Sequence, residues 1–282
     1  MRFLQIHGLG YSGTSLMNLL LDAVDGVRGL GEVYRAVPTD YGRIIDGEHN
    51  MRFPCYQCGN SCRFYDNAPT DALYEWVINK LPDTDILVDS SKITQWYAER
   101  SGPHVERVIL AKYPHEFGYS CIGHHGSDLA TTFSSWFGQY QKILPLTSEE
   151  VVVTYREMVT DPWGTCARII QESRPHRSDW WDTDFHILGG NQSCRAQHDI
   201  KKLPDFFSRE QYPAAIVRKN KYKGNHHKIF LDEIWRNDNF FCKDAIEYYN
   251  RNRADFNPVL IELGITGGVD FLIADIESTI SQ

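Results

Sequence analysis

The chain has 282 residues, 42% of them hydrophobic and 23% charged, and 29 Lys+Arg against 37 Asp+Glu leave a net charge of −8. At this length folding hides roughly 74% of the unfolded chain's surface, so a sizeable core is expected and disorder is excluded. The acidic balance argues against nucleic-acid or anionic-membrane partners, and no apolar run reaches the roughly 20 residues of a membrane span.

The N-terminus shows no signal-peptide pattern, because the first strand begins at Arg2. Seven cysteines, an odd number in a long chain, do not read as a secreted disulfide scaffold, and the expected setting is reducing and cytoplasmic. One domain over residues 1–282 is expected, less regular from residue 174 onward.

Four short runs rich in β-branched residues read as buried parallel strands: Phe3–Ile6, Ile86–Val88, Val108–Ala111 and Val151–Thr154. The first leads through Gly8-Leu9-Gly10-Tyr11-Ser12-Gly13-Thr14-Ser15 into a helix with Leu16, Leu19, Leu20 and Ala23 on one face; Met17, Leu21 and Val24 make the other side apolar too. A further short strand precedes Glu32. Strand–loop–helix alternation predicts an α/β fold, a parallel sheet between helix layers, with chemistry at the carboxyl ends of the strands. Trp136, Phe137 and Tyr140 read as core, with an aromatic acceptor pocket as the other reading. Arg174–Asp184 reads as a polar loop. Residues 201–228 carry eight Lys/Arg against two acids, either a solvated loop or a wall facing an anionic ligand. Ile229–Arg236 and Cys242–Asn250 read as helical.

The glycine-rich loop is an anion cradle by its chemistry, since backbone N–H groups and a helix N-terminus converge on one point. Gly8, Gly13 and Ser15 match the spacing of a nucleotide P-loop, but Thr14 stands where that loop needs Lys. A nucleoside triphosphatase or kinase uses this Lys, together with Mg²⁺, on the β- and γ-phosphates. Its loss suits a transferred group carrying one negative charge, such as sulfuryl, where a terminal phosphoryl carries about two.

Several motifs together resemble the sulfotransferases that use 3′-phosphoadenosine-5′-phosphosulfate (PAPS). Gly10 through Met17, followed by Gly31-Glu32, looks like their 5′-phosphosulfate loop. Val88-Asp89-Ser90-Ser91-Lys92 is similar to their strand-ending DSSK. Leu110-Ala111-Lys112-Tyr113-Pro114 through Ser120 resembles the 3′-phosphate motif. Tyr155-Arg156-Glu157 through Asp161-Pro162, Gly190-Asn191 with Arg195, and Asp232 through Trp235-Arg236 resemble later elements in the family's order. Cys55, Cys58-Gly59 and Cys62 form a cluster that also occurs in bacterial members. Three positions depart from the family: Tyr11 stands where many members have Arg or Lys, Lys112 replaces Arg, and Tyr113 replaces Asp.

The resemblance implies a P-loop-containing nucleoside triphosphate hydrolase-like (sulfotransferase) fold. It also implies PAPS as cofactor, released as 3′-phosphoadenosine-5′-phosphate (PAP), no divalent metal, and a small-molecule or carbohydrate acceptor. It nominates Glu32 as general base, the other reading being a structural or substrate-orienting carboxylate, and Lys92 reads as a cation for the sulfuryl group or leaving phosphate, or else as a surface lysine. Gly10, Tyr11, Ser12, Gly13, Thr14 and Ser15 would hold the phosphosulfate. Lys112 and Ser120 would hold the 3′-phosphate, and Asn191 and Arg195 would reach cofactor or acceptor. His7 is a rival base. Asp89 reads as a helix cap, and Tyr155 and Glu157 read as structural. The pairs His124-His125 and His226-His227 lack ligand-like partners. The three clustered cysteines leave open zinc with His49 as fourth ligand, a local disulfide, or thiols. A small-molecule kinase and a non-catalytic nucleotide-binding module are the competing functions.

Overall fold

A computed structural model of the chain describes residues 2–36, 55, 63–100, 104–146, 151–180, 183, 185–188, 229 and 233–280. Five strands form one parallel sheet: β1 (Arg2–His7), β2 (Val27–Gly31), β3 (Ile86–Asp89), β4 (Val105–Ala111) and β5 (Val151–Thr154), in the order β2-β3-β1-β4-β5. The expected α/β architecture is therefore observed. All four strands expected from their apolar runs are present, and β2 joins the edge beside β3.

The glycines of β2 answer to helix α1 (Thr14–Asp22). Asn18 and Asp22 of α1 turn their side chains into the strand's backbone. Asp22 Oδ1 accepts from the Gly29 N–H at 3.0 Å and Asn18 Oδ1 from the Gly31 N–H at 3.1 Å. A Cβ at Gly29 would stand 2.4 Å from Asn18 Nδ2, so only glycine admits this approach. The ladder shifts register between Gly29 and Gly31, and this bulge ends the strand one residue before Glu32.

Alternation along the strands builds two cores. Leu4, Ile6, Val108, Leu110 and Val153 pack with α1 and α7 (Pro162–Ile170) on one face. Ile109 and Ala111 pack on the other face with α4 (Pro114–His125), α5 (Leu129–Ile143) and three C-terminal helices: α8 (Asn239–Arg251), α9 (Arg253–Glu262) and α10 (Gly268–Ile280). From Asn239 on the chain is thus regularly helical, more ordered than composition suggested. Before it, Ile234–Asn237 is a 3₁₀ turn rather than part of a helix from Ile229. No helix of the described residues is long and apolar enough to cross a membrane.

Trp136 and Tyr140 of α5 are fully buried, and their polar atoms find the end of β4. Trp136 Nε1 donates to the Lys112 carbonyl at 2.8 Å and the Tyr140 hydroxyl to the Leu110 carbonyl at 2.7 Å. Their apolar bodies thus build a core while their heads fix the strand end that carries Lys112.

Asp89 ends β3 and is not a helix cap. The next helix, α3 (Thr94–Ala98), has Ile93 at its N-cap. Asp89 is instead a buried anchor: Oδ1 accepts the Ser91 N–H at 2.7 Å, and Oδ2 accepts the Tyr74 hydroxyl at 2.6 Å and Trp96 Nε1 at 2.8 Å. Burial raises the pKa of its carboxyl despite these donors. Removing the carboxyl strands two buried side-chain donors. Asp89→Ala is therefore predicted to cost about 3 kcal/mol, measured by urea unfolding against the parent chain, whereas a helix-cap role would cost about 1 kcal/mol.

Candidate active site

With five parallel strands, every carboxyl end lies on one edge. The chain leaves β1 toward the α1 face and leaves β4 toward the α4 face. In open α/β sheets ligands bind in the crevice between two strand ends whose connections diverge in this way.

The loop from Gly8 to Gly13 lies at this crevice. Gly8 packs so closely that a Cβ would meet Ser12 Oγ at 3.0 Å and the Leu110 carbonyl at 3.1 Å. Ser12 is buried, and its hydroxyl donates back to the Leu9 carbonyl at 2.7 Å, bracing the turn. Tyr11 holds a left-handed φ of 69°, a strained conformation for a side-chain-bearing residue. Gly13, the N-cap of α1, has a φ of 99° and no side chain to offer the first-turn N–H groups. A Cβ on it would come 2.6 Å from the Tyr155 ring, whereas one on Gly10 would meet open space. The loop is thus packed from behind and open in front, as an anion cradle requires. Thr14, in the place of the P-loop Lys, is buried.

Lys112 follows β4 across the crevice. Its Nζ donates to Ser120 Oγ at 3.2 Å and to the Tyr11 carbonyl at 3.4 Å, and lies 4.7 Å from the centre of the Tyr155 ring. Lys112 and Ser120 are therefore together, beside the loop. Tyr155 packs behind both Gly13 and the ammonium. Glu157 is structural as expected, closing a capping box with Thr154 on α6 (Tyr155–Thr160) and pairing with Arg168.

A second charged group ends β2 and β3. Glu32 Oε1 accepts Lys92 Nζ at 2.5 Å and Oε2 accepts Arg35 Nε at 2.6 Å. The Glu32 N–H donates to the Leu188 carbonyl at 2.7 Å, and Tyr34 N–H donates to Ser91 Oγ at 3.3 Å. Lys92 has a left-handed φ of 63°, held because its N–H donates to the Tyr97 hydroxyl at 3.0 Å. That hydroxyl also lies 3.0 Å from the Ile6 carbonyl and 3.1 Å from the Asp89 carbonyl, tying the ends of β1 and β3 together. Burial pushes the Glu32 pKa up, but Lys92 and Arg35 outweigh it and hold the carboxyl below its ordinary range. Glu32 is thus ionised at neutral pH.

His7 does not suit the role of a base. It is buried at the end of β1 against Tyr97, and desolvation, helped by Arg107, lowers its pKa to about 3. Asn191, Arg195, residues 201–228, His49, Cys58, Cys62, Asp232 and the pair His226-His227 lie outside the described residues, as do the side chains of His124 and His125. Among the described residues no three His, Cys, Asp or Glu side chains are grouped to hold a metal.

Sequence reading missed Arg35, although its three-residue step from Glu32 on the 3₁₀ turn Val33–Ala36 is the signal that would have found it. It also missed a buried network behind Tyr155. Arg156 Nε donates to Glu116 Oε1 at 2.7 Å and Nη2 to Asp275 Oδ2 at 2.5 Å, Arg236 Nη2 reaches Asp275 Oδ1 at 3.2 Å, and His115 Nε2 lies 3.2 Å from Asp275. Burial alone would raise the Asp275 pKa, but His115 and Arg156 hold it well below the carboxylate range. Trp235 packs edge-on against His115 of α4 and Arg236 reaches Asp275, so the C-terminal Trp-Arg motif ties α10 to α4.

No protein-family model matches the chain, and no curated protein does. Among solved structures it is similar to a sulfotransferase domain from the curacin biosynthetic pathway, at 12% identity and a TM-score of 0.49 over 82% of this chain and 91% of that one. It is also similar to the sulfotransferase domain of the Synechococcus PCC 7002 olefin synthase, at 15% identity and a TM-score of 0.47 over 89% of this chain and 93% of that one. Likeness at this level leaves the function to be argued from the site.

The Glu32 pair generates a pH-dependent prediction. Its folded pKa lies below its unfolded one, so its contribution to stability is complete above the unfolded value of about 4.3 and is lost as pH falls through the folded value. Lys92→Met is predicted to destabilise the chain by on the order of 2 kcal/mol at pH 7, Arg35 remaining as partner. The gap between variant and parent in denaturant unfolding narrows as pH drops below 4.

Proposed function

We propose that the protein is a PAPS-dependent sulfotransferase acting on a hydroxyl or amine of a small-molecule or carbohydrate acceptor. The observation that carries this reading is the pairing of Glu32 with Lys92 on the same sheet edge as a glycine-rich anion cradle that has Thr14 in place of the P-loop Lys. A carboxylate and a cation are thus paired on the edge that carries the glycine-rich loop, and that loop lacks the Lys that NTP chemistry uses, which weighs against the kinase reading.

The residues present fit PAPS by their chemistry. The loop's N–H groups, open in front at Gly10, suit the 5′-phosphosulfate, and the buried Lys112 ammonium with the Ser120 hydroxyl suits the 3′-phosphate. When bound, PAPS supplies an activated sulfuryl group on a phosphate leaving group. Glu32 takes the proton of the acceptor hydroxyl or amine as the acceptor's bond to sulfur forms and the bond from sulfur to the 5′-phosphate oxygen breaks. Lys92 gives its ammonium to the charge that develops on the transferring group and the departing phosphate. Its salt bridge to Glu32 belongs to the resting site. As Lys92 turns to the reacting group, Arg35 keeps one carboxylate oxygen paired and Glu32 in place. Ionised already at neutral pH, Glu32 needs no activation to act as base.

Two of the three departures from the family pattern have local explanations. Lys112 reaches both Ser120 and the loop as a point charge where Arg would bring a fork. Tyr113 lies under the Arg156 guanidinium, 4.5 Å from its ring centre.

Glu32→Gln tests the assignment. With PAPS and an acceptor found by screening, the variant is predicted to lose about 100-fold or more in kcat while its calorimetric affinity for PAP stays within a few-fold of the parent. Unchanged turnover would remove Glu32 as the base.

A further inference from the structure

Lys112 is a point charge on a flexible stem, standing where the family pattern has the rigid fork of an Arg. The precision of its ammonium must therefore come from the groups around it. Two of those groups are Ser120 Oγ at 3.2 Å and the Tyr155 ring at 4.7 Å. One guanidinium stands behind both.

Arg156 follows Tyr155 in the chain. Its Nε donates at 2.7 Å to Oε1 of Glu116, a buried residue in the first turn of α4. The Glu116 carbonyl in turn accepts the Ser120 hydroxyl at 3.0 Å, so the turn that Arg156 holds is the turn that orients Ser120. The guanidinium also lies 4.5 Å from the ring centre of Tyr113, the residue after Lys112. Arg156 thus reaches three neighbours of the ammonium: Tyr155 by covalent adjacency, Tyr113 by stacking, and Ser120 through Glu116.

Asp275 of α10 fixes the guanidinium from the far side. Its Oδ1 accepts Nη1 at 3.0 Å and its Oδ2 accepts Nη2 at 2.5 Å, a bidentate pair that leaves the fork little freedom to turn. All three guanidinium nitrogens therefore donate to carboxylates, so Arg156 is placed as a brace behind Lys112. Asp275 is itself held by Arg236 Nη2 at 3.2 Å and His115 Nε2 at 3.2 Å.

We infer that Arg156 is a positioning residue for the 3′-phosphate: held by Asp275, it sets Ser120 and Tyr155 around the Lys112 ammonium. A carboxylate 119 positions downstream thereby governs cofactor affinity without touching the cofactor.

The inference rests on the sulfotransferase reading, and its test separates the two. Asp275→Asn keeps the shape of the side chain, removes its charge and leaves Arg156 paired with Glu116. Calorimetry on the folded variant is predicted to show PAP binding about tenfold weaker than in the parent. Adenosine 5′-phosphate, which lacks the 3′-phosphate, should bind variant and parent within about twofold of each other. In a Lys112→Met background, Asp275→Asn should cost little further PAP affinity, because the group it positions is gone. Merely structural damage would instead weaken both nucleotides alike and add to the Lys112→Met loss. With PAPS and an acceptor, the KM for PAPS should rise about tenfold while kcat changes by less than about threefold. Arg156→Lys keeps the charge and gives up the bidentate pair, so it should reproduce the pattern and serves where Asp275→Asn does not fold. A parent that binds PAP beside an Asp275→Asn variant that binds it equally well would overturn the positioning role alone. Equal losses for the two nucleotides, or the full further loss in Lys112→Met, would overturn it too. A parent that binds no PAP would remove the sulfotransferase reading and this inference with it.

Discussion

The ion pair between Glu32 and Lys92 depends on the parallel sheet, and the site depends on the pair. Glu32 follows β2 and Lys92 follows β3, so their charges meet only because adjacent parallel strands end on the same edge. Both are largely withdrawn from water, where an unpartnered charge costs several kcal/mol. The pairing offsets that cost in the resting chain and leaves both groups poised, since a ligand that draws Lys92 away finds Glu32 still ionised and still held by Arg35. The left-handed backbone at Lys92 fits this picture: strain of order 1–3 kcal/mol persists because Tyr97 and the ends of β1 and β3 over-determine the turn.

The second half of the site uses the same economy. Lys112 ends β4 with its carbonyl seized by Trp136 and its ammonium directed across the crevice toward Ser120 and the glycine loop. Tyr155 is the floor common to Lys112 and Gly13. Its neighbour Arg156 is fixed by Glu116 from α4 and Asp275 from α10. The C-terminal helices, remote in sequence from every motif of the loop, therefore set the position of groups that line it.

Much of this was legible in the sequence, and the limits have physical causes. Four strands show as β-branched runs because parallel strands are buried on both faces. The fifth, Val27–Gly31, carries no such run because α1 packs Asn18 and Asp22 against its backbone and demands glycine there. The proximity of Lys112 to Ser120 follows from an eight-residue step along a strand end and the first turns of α4, which local spacing encodes. The partnership of Glu32 with Lys92 spans 60 positions, and that of His115 with Asp275 spans 160; only the fold brings such pairs together. Asp89 misled for a related reason. An Asp-Ser-Ser run before a helix has the look of a cap, yet Tyr74 and Trp96 claim the carboxylate first.

The central claim is that the crevice between β1 and β4 is built for a 3′-phosphorylated nucleotide. Calorimetric titration with PAP, beside ATP with Mg²⁺, tests it most directly. The account predicts micromolar binding of PAP, much weaker binding of ATP, and at least a tenfold loss of PAP affinity in Lys112→Met. Preference for ATP with Mg²⁺, or PAP affinity indifferent to Lys112, would contradict it.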